Sequence, residues 1–227
     1  MMPVIDFFGY ELSTYWLCCS VGIWLIILLS ILRKDIYQLS TLFALLCALC
    51  ISIFGIIGVF ILGYIQSGFK HFQSSFMGAL IFTPIMVGVI GVVFKKRFCQ
   101  VVSFSIPGIC LMGSIMKLGC FFVGCCGGIT INGIKVPIQI IESVISLLIF
   151  FVVIFCEIKL QLKILIVPIY LLTYAFLRFF IEFFRDTEKN ILGISMGQFT
   201  AILVFVLGIV YLVLIILNKK GIKTSLY

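Results

Sequence analysis

The sequence predicts an all-α, polytopic integral membrane protein with about seven transmembrane helices, its N-terminus outside and its C-terminus cytoplasmic. Three observations lead there. Of 227 residues, 63% are hydrophobic and only 11% are charged, less than half the share of about 25% usual in a soluble domain. The apolar residues run in continuous stretches of roughly 20, the length that crosses a hydrocarbon core about 30 Å thick; barrel strands would show about ten residues of alternating hydrophobicity instead. The basic residues fall in short clusters between those stretches, and every other connection is the richer or equal one, the asymmetry that orients helices in a bilayer.

Spans are expected at residues 15–32, 42–65, 76–94, 104–123, 138–156, 164–184 and 196–217. The first is read as a retained span rather than a cleaved leader, because no basic stretch precedes Tyr15 while Arg33 and Lys34 follow the apolar run. Counting Lys and Arg along the connections gives Arg33 and Lys34, then Lys70, then Lys95, Lys96 and Arg97, then Lys135, then Lys159 and Lys163, then Arg185 and Lys189, then Lys219, Lys220 and Lys223. That alternation fits an odd number of spans. The fourth span differs from the rest in holding Lys117 and several glycines. No internal repeat, low-complexity tract or second domain interrupts residues 1–227, so one membrane domain is expected.

A formal net charge of +8 does not point to nucleic acid here, because the cations form no single stripe. Ten cysteines would be a disulfide framework in a small secreted chain, but Cys18, Cys47, Cys50, Cys110 and Cys156 lie inside apolar segments, where cysteine packs as a small hydrophobe.

Candidate chemistry lies with the few ionisable residues inside spans, since an Arg or Lys at mid-membrane costs roughly 2.5–3.5 kcal/mol on insertion scales. Tyr174, Arg178, Glu182 and Arg185 are spaced by four, four and three, which keeps them on one helical face. Such a face either glues helices through an Arg178–Glu182 pair or lines an anion site between helices, and the anion site is the preferred reading. Lys117 shares a face with Cys120 and Gly124 and is read as a second cation toward the same cavity. Cys120, Cys125 and Cys126 lack the paired spacing of a zinc site and have no nearby His, so no metal is expected. His71, the only histidine, has no Ser or Cys partner pattern and is read as interfacial. Pro137 opens the fifth span, with Gln139 and Glu142 just inside it.

These segments, in this order, resemble the prolipoprotein diacylglyceryl transferase family of bacterial plasma membranes. The resemblance rests on residues 9–17 with Tyr15, on Phe76-Met77-Gly78-Ala79-Leu80, on Lys117-Leu118-Gly119-Cys120-Phe121 with Gly124 and Gly128, on Pro137-Ile138-Gln139-Ile140-Ile141-Glu142, on Tyr174 through Arg178 and Glu182 to Arg185, and on Gly193-Ile194-Ser195-Met196-Gly197-Gln198. It implies an enzyme that moves a diacylglyceryl group from phosphatidylglycerol to the thiol of a lipobox cysteine in a prolipoprotein, without a cofactor. By resemblance Arg178 holds the phosphate, Tyr174 orients the lipid, and Glu182 and Arg185 shape the cavity. Arg178, Lys117 and Tyr174 are thus the catalytic candidates. Tyr15, Gly119, Cys120, Gly124, Gln139, Glu142, Glu182 and Arg185 are the substrate-binding ones.

The chain departs from the family at three places. Lys117 stands where the family has an arginine in a Gly-Arg-Ile-Gly-Asn signature, after Met116 in place of glycine; lysine keeps the charge but loses the planar fork that grips phosphate twice. Cys120 replaces the signature Asn, and Cys125 the signature Glu. Met77 aligns with a family histidine. These replacements also suit a divergent paralogue that binds lipid with another acceptor or without catalysis. A third reading, a thiol oxidoreductase using Cys125 and Cys126, is weaker because vicinal cysteines substitute poorly for a Cys-X-X-Cys pair.

Overall fold

The computed structural model describes residues 4–7, 10–66, 68–69, 76–187 and 193–221. Seven α-helices run along the described residues: α1 (Thr14–Arg33), α2 (Thr41–Gln66), α3 (Phe76–Val93), α4 (Phe98–Val123), α5 (Ile138–Ile158), α6 (Ile166–Ile181) and α7 (Met196–Gly221). Six described segments are long and apolar enough to cross a membrane, and the shorter apolar stretch Phe82–Val93 lies within α3. The protein is therefore an all-α, multi-pass membrane protein. Lipid leaves no water to satisfy backbone groups, which is why each crossing is a helix that closes its own hydrogen bonds.

The helices alternate in direction around α4, which packs against α1, α2, α3, α5 and α6. Its span begins at Phe98, six residues before the expected 104. The early turns hold Gln100, Ser103, Ser105 and Pro107, polar or helix-opening residues that dilute hydropathy. They are tolerated because they face protein: residues Val101 to Cys110 are all buried. Ser105 Oγ donates to the Val101 carbonyl at 2.8 Å, returning its hydroxyl to the helix that carries it.

Glycines set the closest approaches. A Cβ on Gly58 of α2 would stand 2.6 Å from the Gly78 carbonyl oxygen of α3, so these two helices touch backbone to backbone, as small residues permit in lipid. A Cβ on Gly119 would stand 3.2 Å from Tyr15 and Cys18, and this is where α1 crosses α4.

A buried ion pair closes one end of the bundle. Arg33 at the end of α1 donates from Nε to Glu157 Oε2 at 2.8 Å, pairs its Nη2 with Glu157 Oε1, and donates from Nη1 to the Phe104 carbonyl at 2.7 Å. Its guanidinium lies over the rings of Phe104 and Tyr37. Arg33, expected to mark a connection, is instead 4% exposed, and its charge is used within the bundle to join α1, α4 and α5.

Two small hairpins not anticipated from the sequence lie at the opposite end. β1 (Val4–Phe7) pairs antiparallel with β2 (Tyr10–Ser13), Val4 opposite Ser13, and runs directly into α1. β3 (Thr130–Ile131) pairs with β4 (Ile134–Lys135) between α4 and α5, turned by Asn132 and Gly133 at positive φ.

Candidate functional site

The site is built at the end of the bundle where α4 and α6 finish and α5 begins. Pro137 caps α5, and one turn further on Glu142 projects between α4 and α6. Its carboxylate gathers the cations of both: Lys117 Nζ pairs with Oε2, while Oε1 accepts from Arg178 Nη1 at 2.6 Å and Arg185 Nη1 at 3.2 Å. Arg178 Nη2 also reaches Glu182 Oε2 at 2.5 Å, and Arg185 Nε lies 3.7 Å from the same oxygen. Lys117, Glu142, Arg178 and Glu182 are each less than a tenth exposed. Buried charge on this scale is costly unless paired, so the five residues hold one another in place. Lys117, Arg178 and Arg185 stand against Glu142 and Glu182, which leaves one positive charge in excess.

Beneath the cluster a small hollow is lined by Lys117, Glu142, Ile145, Ser146, Tyr174, Arg178 and Ile181. A second small hollow shares Ser146 and Tyr174 with it and continues along Ile109, Gly113, Ile149 and Tyr170 toward the bundle middle. Polar groups thus sit at one end of a crevice whose remaining walls are apolar. Tyr174 stands at the junction, stacked on Tyr170 with centroids 5.8 Å apart.

Tyr174, Arg178, Glu182 and Arg185 were expected along one helical face. The α-helix stops at Ile181, Glu182–Phe184 forms a 3₁₀ turn, and Arg185 is extended. Arg185 reaches the cluster because its backbone bridges Gly128, with the Ile129 N–H donating to the Phe184 carbonyl at 3.0 Å. The loop after α4 therefore brings to the cluster a side chain that was expected to reach it by helical spacing.

The support around Glu182 was not anticipated. Thr187 Oγ1 donates to Glu182 Oε1 at 3.1 Å, and a Cβ on Gly197 would lie 2.5–2.6 Å from its carboxylate. Gly197 is held there by reciprocal bonds in Ser195-Met196-Gly197-Gln198: the Ser195 N–H donates to Gln198 Oε1 at 3.0 Å and the Gln198 N–H to Ser195 Oγ at 3.1 Å. This capping box starts α7 and was legible as Ser-x-x-Gln. Ser143 Oγ donates to the Ser114 carbonyl at 2.9 Å, tying α5 to α4 below the cluster.

Among the other candidates, Gly119 and Tyr15 meet at the α1–α4 crossing, and Gly124 caps α4 at φ +80°. Gln139 Nε2 donates to the Cys125 carbonyl at 2.5 Å, fixing the loop that Gly124 begins. Cys126 also has a positive φ, +57°, and the two left-handed residues fold the chain back so that the sulfurs of Cys120, Cys125 and Cys126 all lie within 4.8 Å of one another. A hydrogen bond from Cys120, together with the nearby Lys117 and Arg185 charges, holds the Cys126 thiol below the usual thiol range. Burial and the charge of Cys126 raise Cys125. His71 and the side chain of Met77 lie outside the described residues.

A helical bundle with paired charges buried over a hollow between its spans defines a polytopic membrane protein with an ionic site in its interior. The match to a family model fixes the kind: residues 3–214 match that of the prolipoprotein diacylglyceryl transferases, and the chain belongs to that family. Its members are membrane transferases of lipoprotein biosynthesis. No curated protein matches the chain.

Proposed function

We propose that this chain transfers a diacylglyceryl group from phosphatidylglycerol to the thiol of a lipobox cysteine in a prolipoprotein, releasing glycerol phosphate at the outer face of the bacterial plasma membrane. The observation that carries this reading is the cluster's single excess positive charge at the polar end of an apolar crevice. One phosphodiester monoanion neutralises that excess, and the lipid's acyl chains extend along the apolar walls.

Arg178 holds the phosphate, assisted by Lys117 and Arg185. Glu142 and Glu182 keep the three cations in register before the lipid arrives, and Tyr174 orients the glyceryl portion at the junction of the hollows. As the acceptor sulfur forms its bond to the glyceryl carbon, the carbon–oxygen bond breaks and the leaving phosphate gains charge. Cations already fixed in a water-poor site stabilise that change without reorganising. Tyr15, Gly119, Cys120, Gly124 and Gln139 border the same end and shape where the acceptor approaches.

The test uses purified protein in nanodiscs containing phosphatidylglycerol, with a lipobox peptide and detection of the thioether-linked product by mass spectrometry. Arg178→Ala is expected to abolish product per folded molecule; because it breaks two buried pairs it should also cost about 3–5 kcal/mol, so product is compared at a temperature where both proteins remain folded. Equal product with and without Arg178 would falsify the assignment.

A second reading, a paralogue that binds lipid without this transfer, is favoured by one observation: both carboxylates of the site are engaged by cations, which occupies the oxygens a thiol proton would need. Lys117→Arg separates the two. A rise in turnover supports a transferase whose phosphate grip is weakened by lysine; an inactive protein left inactive supports the lipid binder.

A further inference from the structure

We propose that Cys120, Cys125 and Cys126 form a three-thiolate binding site for a thiophilic divalent cation, Zn²⁺, whose fourth position receives the thiol of the acceptor cysteine. In sequence the three cysteines lack paired spacing, but the fold supplies what spacing does not. Gly124 at φ +80° and Cys126 at φ +57° turn the chain sharply off the end of α4, and all three sulfurs come within 4.8 Å of one another. Zinc–sulfur bonds of about 2.3 Å at tetrahedral angles place sulfurs about 3.8 Å apart. The thiols therefore close on a cation by rotamer adjustments of about 1 Å, without moving the helix.

The loop is held in this shape from three sides. Gln139 grips the Cys125 carbonyl, the Gly128 N–H donates to the Val136 carbonyl at 3.2 Å, and the Ile129 N–H to the Phe184 carbonyl. Cys125 and Cys126 are exposed while Cys120 is partly covered, the arrangement of a site closed on one side and open on the other. A structural zinc site fills all four positions with protein ligands, whereas three protein ligands leave one for water or substrate.

The role follows from what the cation cluster lacks. Thiol attack requires the thiolate, and the site's carboxylates are committed to cations. A zinc-bound thiol loses its proton outright. Acceptor binding would displace a zinc-bound water and release one proton to solvent, with no change in oxidation state. The sulfur would then form its bond to the glyceryl carbon as the carbon–oxygen bond to phosphate breaks, the electron pair leaving with glycerol phosphate. Only this role rests on the transferase reading; the metal site stands apart from it.

The experiment takes the full chain in detergent, reduced with a phosphine, stripped with a chelator and titrated with Zn²⁺ or Co²⁺. One metal per chain is expected, with a Co²⁺ spectrum showing sulfur-to-metal charge transfer from three thiolates and tetrahedral d–d bands. Cys120→Ser, Cys125→Ser and Cys126→Ser should each weaken binding more than about 100-fold, because outer-shell changes alone cost 10–100-fold. Cys50→Ser, within α2, should leave it unchanged. Adding a lipobox peptide should shift the d–d bands, and its Cys→Ser counterpart should not. Substoichiometric metal, or equal binding by the triple serine variant that melts like wild type, overturns the site. A bound cation whose spectrum ignores the cysteine peptide, or full transfer by chelated protein, overturns its role. Metal and peptide binding without product when phosphatidylglycerol is present sinks the transfer reading and leaves the metal site intact.

Discussion

Replacing Glu142 with glutamine removes one negative charge from the point where three cations converge and leaves the shape nearly unchanged. Arg178 and Arg185 lie 2.6 and 3.2 Å from Oε1, and Lys117 is paired with Oε2. At an effective dielectric constant near 20, contacts of this length carry gross attractions of about 5–6 kcal/mol each. Desolvation cancels most of that, and breaking one partner of a buried pair costs about 3–5 kcal/mol net. For a chain of this size that is a fall in Tm of roughly 6–20 °C. Lipid is expected to reverse part of it: the cluster's excess rises from one positive charge to two, so an anionic phosphate binds Glu142→Gln more favourably than wild type. Thermal unfolding in mixed micelles checks this directly. Phosphatidylglycerol should raise the variant's Tm by more than it raises that of wild type, and phosphatidylcholine should raise neither. If phosphatidylglycerol stabilises both proteins equally, Glu142 does not compete with a lipid phosphate for these cations, and the phosphate-seat interpretation is refuted.

Two other outcomes follow from the support around the site. Glu157→Leu leaves the Arg33 guanidinium buried without its carboxylate and should cost about 3–5 kcal/mol, whereas Arg33→Met with Glu157→Leu should recover most of the loss; transfer per folded molecule should be unchanged, because the pair lies at the other end of the bundle. A double variant as unstable as Glu157→Leu alone would show that the charge pair itself holds α1 to α5. Gly197→Ala places a methyl 2.5–2.6 Å from the Glu182 carboxylate, so it should cost about 1–3 kcal/mol by overpacking and loosen the hold on Arg178. Melting and phosphatidylglycerol binding identical to wild type would show that Glu182 can yield freely.

The cation cluster was legible because ionisable residues inside apolar runs are scarce, so Lys117, Arg178 and Glu142 each stood out without any knowledge of their partners. Arg33 and Glu157 were not, because each sits at the end of a span, where a charge reads as a topology marker. Their pairing across 124 positions leaves no spacing to detect. The three cysteines were noticed together, but their convergence was not foreseen, for a different reason. Helical periodicity relates Cys120 to Gly124, but Cys125 and Cys126 reach Cys120 only after two left-handed residues reverse the chain, and periodicity is silent once a helix ends.

The misplaced start of α4 shows what hydropathy measures. α4 is the least hydropathic of the six long spans and the most buried, with 61% of its most apolar window covered by protein against 17% for α7. The outer helices must be apolar around most of their circumference because lipid touches them. A central helix touches other helices, and serine, glycine, proline and lysine are admissible wherever the helix itself or a neighbour supplies a carbonyl or a carboxylate, as Val101 of α4 does for Ser105 and Glu142 of α5 for Lys117. Hydropathy thus registers contact with lipid rather than depth in the membrane. In this fold the two diverge most on α4, which carries Lys117 and the first of the three thiols. The weakest span signal therefore marks the helix on which the candidate chemistry is concentrated, for the same physical reason that the signal is weak.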